Sequence, residues 1–79
     1  MKPHVKIYLN HYDFGEQDFI PCENCHVKAV DIHHLEGRGK GKDVIENLIA
    51  LCRRCHTKAH NDGGFNEYLK IIHLKNLQP

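Results

Sequence analysis

Apolar residues recur along the chain in short blocks that polar or glycine-rich segments separate. Over residues 4–12 they fit both the alternation of a strand and one face of a helix, so this pattern predicts a packing element of either type. Residues 29–35 are rich in side chains that favour strands, and we expect a first strand there. A second strand or turn is expected over residues 44–48.

The second half of the chain predicts two helices. One is expected to begin near Cys52 and to run to about His60, where residues 61–64, Asn-Asp-Gly-Gly, should end it. A last amphipathic helix is marked by the apolar residues Phe65, Tyr68, Leu69, Ile72 and Leu77. The segment between residues 22 and 60 thus has the order ββα, and the predicted class is a small α+β fold with a C-terminal helix.

The chain has 79 residues, and no internal repeat, low-complexity tract or linker divides it. We therefore expect one domain, with an N-terminal packing element over residues 1–21, a core over 22–60 and a C-terminal helix over 61–79. A core of this size is marginal alone and usually needs a metal, disulfides or a partner. Without a leader-like segment or an apolar run of about 18 residues, the sequence predicts a cytoplasmic protein with no membrane partner.

Four cysteines form two Cys-x-x-Cys pairs, Cys22 with Cys25 and Cys52 with Cys55. Two such pairs supply the four thiolates of a tetrahedral structural Zn²⁺ site, with two ligands from each turn. The alternatives are two disulfides, a redox-active pair or an iron–sulfur cluster. In a reducing compartment the spacing favours zinc.

Histidines supply a second candidate set of metal ligands. His56 and His60 are four residues apart on the predicted helix, so they share a face, while Cys55 points about 100° away. The pair His33-His34 on the first strand offers a third ligand and, beside it, an imidazole that is free to act as a base. Since adjacent strand residues point to opposite faces, both can serve one site only if the strand ends or bulges there.

The net charge of +1 conceals a basic central segment. Residues 27–60 carry seven Lys and Arg against four Asp and Glu, whereas residues 1–26 have a net charge of −2. Six cations in the central segment are candidate phosphate contacts: Arg38, Lys40, Lys42, Arg53, Arg54 and Lys58. Three of them alternate with glycines in one loop, which would let the backbone approach a phosphate. The alternative is a solubilising loop and an exposed helix face.

Three stretches carry a family resemblance: Ala29–His34, Asn47-Leu48, and the run Leu51–His60 with its Cys-x-x-Cys-His-x-x-x-His pattern. In order and spacing they resemble the HNH endonucleases, whose catalytic module is the ββα-metal or His-Me finger fold. The resemblance covers roughly residues 22–60. It implies that His34 is the general base, that Asn47 orients it through its other ring nitrogen, and that one divalent ion is held by His33, His56 and His60.

The sequence departs from many members of that family at one position. They carry an aspartate immediately before the base, where this chain has His33, and Asp31 lies two residues further back. The all-histidine set resembles that of the nuclease colicins and leaves Asp31 as a candidate partner of a ligand. Imidazoles favour Zn²⁺, Ni²⁺, Co²⁺ or Mn²⁺ over Mg²⁺, which prefers oxygen ligands.

These features predict an endonuclease that nicks or cuts DNA, contacts the backbone and has little sequence preference. Its size suggests a phage or mobile-element enzyme, or one that a larger protein partner targets. The first alternative is a zinc-stabilised nucleic-acid-binding or adaptor module without catalysis, and another is a nuclease for RNA or modified DNA. The histidines outside the motif are read as surface or packing residues: His4, His11, His26 and His73.

Overall fold

The computed structural model of the chain describes residues 1–78 and arranges them as three α-helices around a two-stranded antiparallel sheet. The elements in chain order are α1 (Pro3–His11), β1 (Asp31–His34), a short 3₁₀ helix (Ile45–Asn47), β2 (Leu48–Leu51), α2 (Arg53–Asn61) and α3 (Gly63–Leu77). The predicted small α+β class is confirmed, and the order β1, β2, α2 is that of the ββα-metal fold. None of the helices described is long and apolar enough to span a membrane.

The register of the sheet sends the adjacent histidines of β1 to opposite faces. His33 lies opposite Ile49, and His34 lies opposite Leu48. Residues directly opposite one another share a face, and successive residues alternate between faces. Leu48 packs in a core cluster with Tyr8 of α1, whereas Ile49 packs in a second cluster built with α2 and α3. His33 therefore faces α2 and α3, and His34 faces α1.

The ambiguous N-terminal segment is a helix. Proline at its first position suits a helix start, because that residue needs no hydrogen-bonded N–H there. The inner face of this helix buries Tyr8 and Leu9. The helix ends in a Schellman motif, with Asp13 at a φ of 58° and the N–H of Phe14 donating to the Leu9 carbonyl at 2.9 Å.

The predicted boundary between the last two helices needs a correction. α2 ends at Asn61 as expected, but Gly63 and Gly64 form the first turn of α3 and are not a separate loop. Asp62 makes this turn possible, because its Oδ1 accepts a hydrogen bond from the N–H of Phe65 at 3.2 Å. The strands are also shorter or shifted: β1 lies within the predicted 29–35, and β2 follows the 3₁₀ helix.

A buried ion pair joins α3 to the first cysteine turn. His73 donates from Nδ1 to Glu23 at 2.8 Å and from Nε2 to the Ile45 carbonyl at 2.7 Å, so it carries both ring protons. Burial opposes this charge, but the bonds to Glu23 and Ile45 outweigh it and raise the pKa of His73. Glu23 also accepts from Tyr8 and Asn76, and its pKa is lowered although burial opposes that shift. The pair thus ties α1, the cysteine turn and α3 together.

Candidate active site

The four cysteines converge on one point, although they come from two segments 30 residues apart, a turn and the start of α2. Cys22 and Cys25 lie on a turn closed by the bond from the His26 N–H to the Cys22 carbonyl, and Cys52 caps α2. The Sγ atoms of Cys25 and Cys52 are 3.5 Å apart, and those of Cys25 and Cys55 are 3.9 Å apart. Four thiolates about 2.3 Å from a tetrahedral Zn²⁺ lie about 3.8 Å from one another. The cluster therefore fits a structural zinc ion.

Burial makes Cys55 a poor candidate for redox chemistry. All four carry free thiols, and three of them are buried in the core cluster that includes Leu69. Burial raises the pKa of the Cys55 thiol to about 12, while the Asn24 side chain donates to its Sγ at 3.4 Å. A thiol with so high a pKa is unreactive at neutral pH and needs a cation to be held as thiolate.

The predicted histidine ligands also come together. One ring nitrogen from each of His33, His56 and His60 lies within 4.8 Å of the other two. The Nε2 atoms of His56 and His60 are 3.0 Å apart, as their spacing of four residues on α2 allows. Nitrogens about 2.0–2.1 Å from a shared tetrahedral ion lie about 3.3 Å apart, so the group fits a single ion after a small adjustment.

Two neighbouring side chains fix the tautomers of these ligands. Asp31 accepts from Nδ1 of His56 at 2.8 Å, which leaves Nε2 of that ring as the free nitrogen. The Asn66 amide donates to the Leu35 carbonyl at 2.9 Å, so its oxygen faces His33 and accepts from Nε2 of that ring, also at 2.9 Å. Burial and the nearby imidazoles lower the pKa of His33, which keeps it in the neutral form that binds metals.

His34 differs from these ligands in its surroundings. It donates from Nε2 to Oδ1 of Asp43 at 2.8 Å, and its Nδ1 is buried with no hydrogen-bond partner anywhere in residues 1–78. His34 is the last residue of β1 and points to the opposite face from His33, yet both residues line one cleft. A single cleft of about 360 Å³ is lined by Ile32, His33, His34, Gly37, Arg38, His56 and His60.

Asn47 does not make the direct contact with the His34 ring that the sequence suggested. Its buried side chain instead forms hydrogen bonds with the backbone in and next to the glycine-rich loop, residues 37–42. The amide oxygen accepts from the Glu36 N–H at 2.6 Å, and the amide nitrogen donates to the carbonyls of Gly37 at 3.2 Å and Lys42 at 2.9 Å. The Nε2 position expected for Asn47 is taken by Asp43. Any effect of Asn47 on the base is therefore transmitted through the loop.

The family comparison agrees with this geometry. The model of the HNH endonuclease family matches residues 22–62, just over half of the chain. The chain belongs to the HNH endonuclease family. No curated protein and no solved structure matches it. The matched segment contains both cysteine pairs, β1, β2 and α2, and therefore both candidate metal sets.

Two contacts of the HNH site were missed from the sequence. Asp43 lies inside the matched segment but directly follows a run of alternating glycines and cations, which drew attention to phosphate binding. Asn66 lies outside the matched segment, on α3, and nothing in its spacing relates it to His33. The only sequence signal for Asp43 was that it is the first carboxylate after the loop.

The six cations predicted to contact phosphate lie in different places. Arg38 lines the HNH cleft, and Lys40 is exposed on the same loop. Arg53 pairs with Asp31 through Nη1 at 3.1 Å. At 3.6 residues per turn, Arg54 and Lys58 point about 160° away from His56 around α2. Consistent with that direction, the Lys58 Nζ lies 4.6 Å from the centre of the Phe65 ring.

Proposed function

We propose that this protein is a metal-dependent endonuclease that hydrolyses DNA phosphodiester bonds, by nicking or cutting. Family membership gives the reaction class. The main support for catalysis by this chain is that one cleft contains three clustered imidazoles and a fourth, His34, with an unpartnered ring nitrogen. A purely structural metal site does not need this fourth imidazole.

In this proposal His34 is the general base. Its Nδ1 takes a proton from the attacking water, which requires that the ring's own proton stays on Nε2. Asp43 supports this tautomer by accepting the Nε2 hydrogen. A histidine is suited to the task because one ring nitrogen of a neutral imidazole is a proton acceptor.

His33, His56 and His60 would hold the divalent ion. Such an ion stabilises the charge that develops on the phosphate and the leaving oxygen. Asp31 and Asn66 direct the ligand nitrogens by occupying the opposite side of two of the rings. An all-imidazole set favours Mn²⁺, Co²⁺, Ni²⁺ or Zn²⁺ over Mg²⁺.

The glycine-rich loop would position the DNA backbone. Arg38 at the cleft and the neighbouring Lys40 and Lys42 supply cations for phosphates, while Asn47 fixes both ends of the loop. Contacts of this kind give affinity with little sequence preference. A larger protein partner would then supply any targeting.

The decisive experiment is plasmid cleavage by zinc-loaded protein whose histidine site has been cleared with a mild chelator. Mg²⁺, Mn²⁺, Co²⁺, Ni²⁺ or Zn²⁺ is then added singly, with an RNA substrate in parallel. We expect metal-dependent cleavage that His34→Ala slows by about 10²–10⁴-fold, because general-base catalysis contributes about that much. The ions held by the four cysteines and by His33, His56 and His60 should be retained in this variant, and His11→Ala, an exposed histidine on α1, is the matched control.

Two outcomes would count against this proposal. If His34→Ala cleaves as fast as the unmodified protein, His34 is not the base. If folded, zinc-containing protein cleaves with none of the metals, the site is not catalytic here, and the zinc-stabilised nucleic-acid-binding module becomes the better description.

A further inference from the structure

A second group of possible metal ligands lies on the α1 side of the sheet. One ligand atom from each of His4, His34 and Asp43 lies within 4.8 Å of the other two. His4 and His34 are 6% and 7% exposed, and their ring centres are 4.6 Å apart. His4 was read from the sequence as an ordinary surface or packing histidine. Its position beside the candidate base gives it a different significance.

The donors in this group suit a transition-metal ion. Two imidazoles and one carboxylate are the ligand types of Zn²⁺ sites with an open position. The His34 side chain is more than nine-tenths buried, and its Nε2 atom lies 2.8 Å from Oδ1 of Asp43. The Asp43 side chain is 46% exposed, so it has room to move from its 2.8 Å contact to the slightly wider spacing of two ligands.

We propose that His4, His34 and Asp43 form a second divalent-ion site, suited to Zn²⁺, that inactivates the base when it is filled. The ion binds Nε2 of His34 in place of the hydrogen shared with Asp43. Nε2 releases its proton to solvent and Nδ1 takes one up, so the ring stays neutral and carries its single proton on Nδ1. A ring in this tautomer has no lone pair with which to take a proton from water.

The architecture keeps this site separate from the ligands that face α2. His33 and His34 leave opposite faces of β1, so an ion at one group does not use the ligands of the other. His4 comes from α1, outside the segment that the HNH family model matches. The inhibitory effect rests on the proposed nuclease function, whereas binding of the ion does not.

Zinc stoichiometry tests the binding itself. Equilibrium dialysis against buffered Zn²⁺, followed by elemental analysis, should give three ions per chain at saturation, one for each ligand group. His4→Ala and Asp43→Asn should each hold one ion fewer, whereas His11→Ala should hold all three. Asp43→Asn keeps the test valid if His4→Ala fails to fold, since Asp43 is an exposed loop residue. Saturation of the unmodified protein at two ions, or no loss in Asp43→Asn, would overturn the proposal.

Inhibition tests the consequence. Zn²⁺ is titrated into a plasmid assay supported by Mn²⁺, with each variant compared to its own activity without Zn²⁺. Asp43→Asn and His4→Ala should raise the half-inhibitory concentration about tenfold or more, because loss of even a supporting partner lowers metal affinity by about 10–100-fold. Equal inhibition of all proteins would place Zn²⁺ at the other histidine set and overturn the inhibitory role. If no protein cleaves, the proposed function fails, while the stoichiometry still decides whether this site exists.

Discussion

The four cysteines and the three clustered histidines are both candidate metal-ligand sets, yet they lie in opposite surroundings. The cysteine set is enclosed in the core, where Cys22 is completely buried. The histidine set lies at the wall of an open cleft, and its last member, His60, is exposed. The two sets meet on α2, where Cys55 and His56 are consecutive residues that point about 100° apart.

We expect this difference to separate a set that holds the fold together from a set that can perform chemistry. A closed set with all four positions taken by thiolates contributes stability, whereas a three-ligand set beside a cleft keeps a position open. Because α2 carries ligands of both, the cysteine set also determines how the histidines are presented. Loss of the cysteine set should therefore destroy both sites, whereas loss of the histidine set should destroy the histidine site alone.

Replacing one cysteine gives the largest expected effect. Cys22→Ser should be unfolded, because binding of a structural zinc contributes on the order of 10 kcal/mol, about the whole stability of a small domain. Circular dichroism and zinc content measure this. His60→Ala, which removes an exposed ligand of the other set, should keep the fold and the cysteine-bound zinc. A folded Cys22→Ser protein would show that the cysteine set, like the histidine set, is not required for the fold.

The buried ion pair beside Cys22 gives the next largest effect. His73→Gln leaves the Glu23 carboxylate buried without its charged partner, and removal of one member of such a pair costs about 3–5 kcal/mol. Urea unfolding of zinc-saturated protein measures the loss. His11→Gln, an exposed histidine, should unfold at an unchanged urea concentration. A loss below about 1 kcal/mol would mean that the charge on His73 contributes little.

The same pair makes a prediction for pH. The folded pKa of His73 is raised above its unfolded value of 6.5, so its contribution to stability is complete below pH 6.5 and declines as pH rises through the folded pKa. The stability difference between the unmodified protein and His73→Gln should therefore shrink as the pH rises above 6.5 and through the folded pKa. Comparing the two proteins cancels the pH dependence of the zinc site. A difference that stays constant or grows would contradict the doubly protonated ring.

A smaller effect is expected at the open set when Asn66 is replaced. Asn66→Ala should weaken ion binding at the histidines by about 10–100-fold, because it releases the Nε2 hydrogen of His33 and with it the ring orientation. Calorimetric titration with Co²⁺ into protein that retains its cysteine-bound zinc measures the affinity. Asn61→Ala, exposed at the end of α2, is the control. Unchanged affinity would mean that the ring needs no such support.

The smallest predicted effect concerns DNA binding. Arg38→Ala should weaken binding to any duplex and reduce the slope of log K against log salt by about 1, as expected for one lost phosphate contact. Lys58→Ala should have less effect on both quantities, because Lys58 lies on the other side of α2. Fluorescence anisotropy over a salt series distinguishes the two. Equal losses of affinity and salt slope in the two variants would support the wider phosphate-binding surface, including Lys58, that the sequence predicts.

The parts of the site that lie on regular elements were predictable from spacing. Both cysteine pairs and His56 with His60 follow from a fixed local geometry, and their order with His33 indicated one fold. Asp43 and Asn66 were not predictable, because one comes from an irregular loop and the other from a helix whose docking depends on the whole core. No periodicity relates either of them to the residue it contacts.

Two features of the fold that the sequence left open have a similar cause. The N-terminal segment fitted two periodicities, and only its packing of Tyr8 against Leu48 decides for a helix. The glycines after α2 have a low helix propensity, but the Asp62 cap and the burial of Leu69 further along outweigh it. In both cases contacts between distant residues override a local preference.

The hydrogen bonds from Asn47 to both ends of the glycine-rich loop bear on how insertions in that loop would be tolerated. The side-chain amide nitrogen of Asn47 donates hydrogen bonds to the carbonyls of Gly37 and Lys42. The two ends of the loop are therefore fixed independently of the residues between them. The entropy of closing a loop grows slowly with its length, by about 0.6 kcal/mol for each doubling. Extra segments can therefore be inserted around Lys40 while the ends stay in register with the sheet. The loop is therefore a suitable attachment point for new recognition elements, with the histidine cleft left as it is.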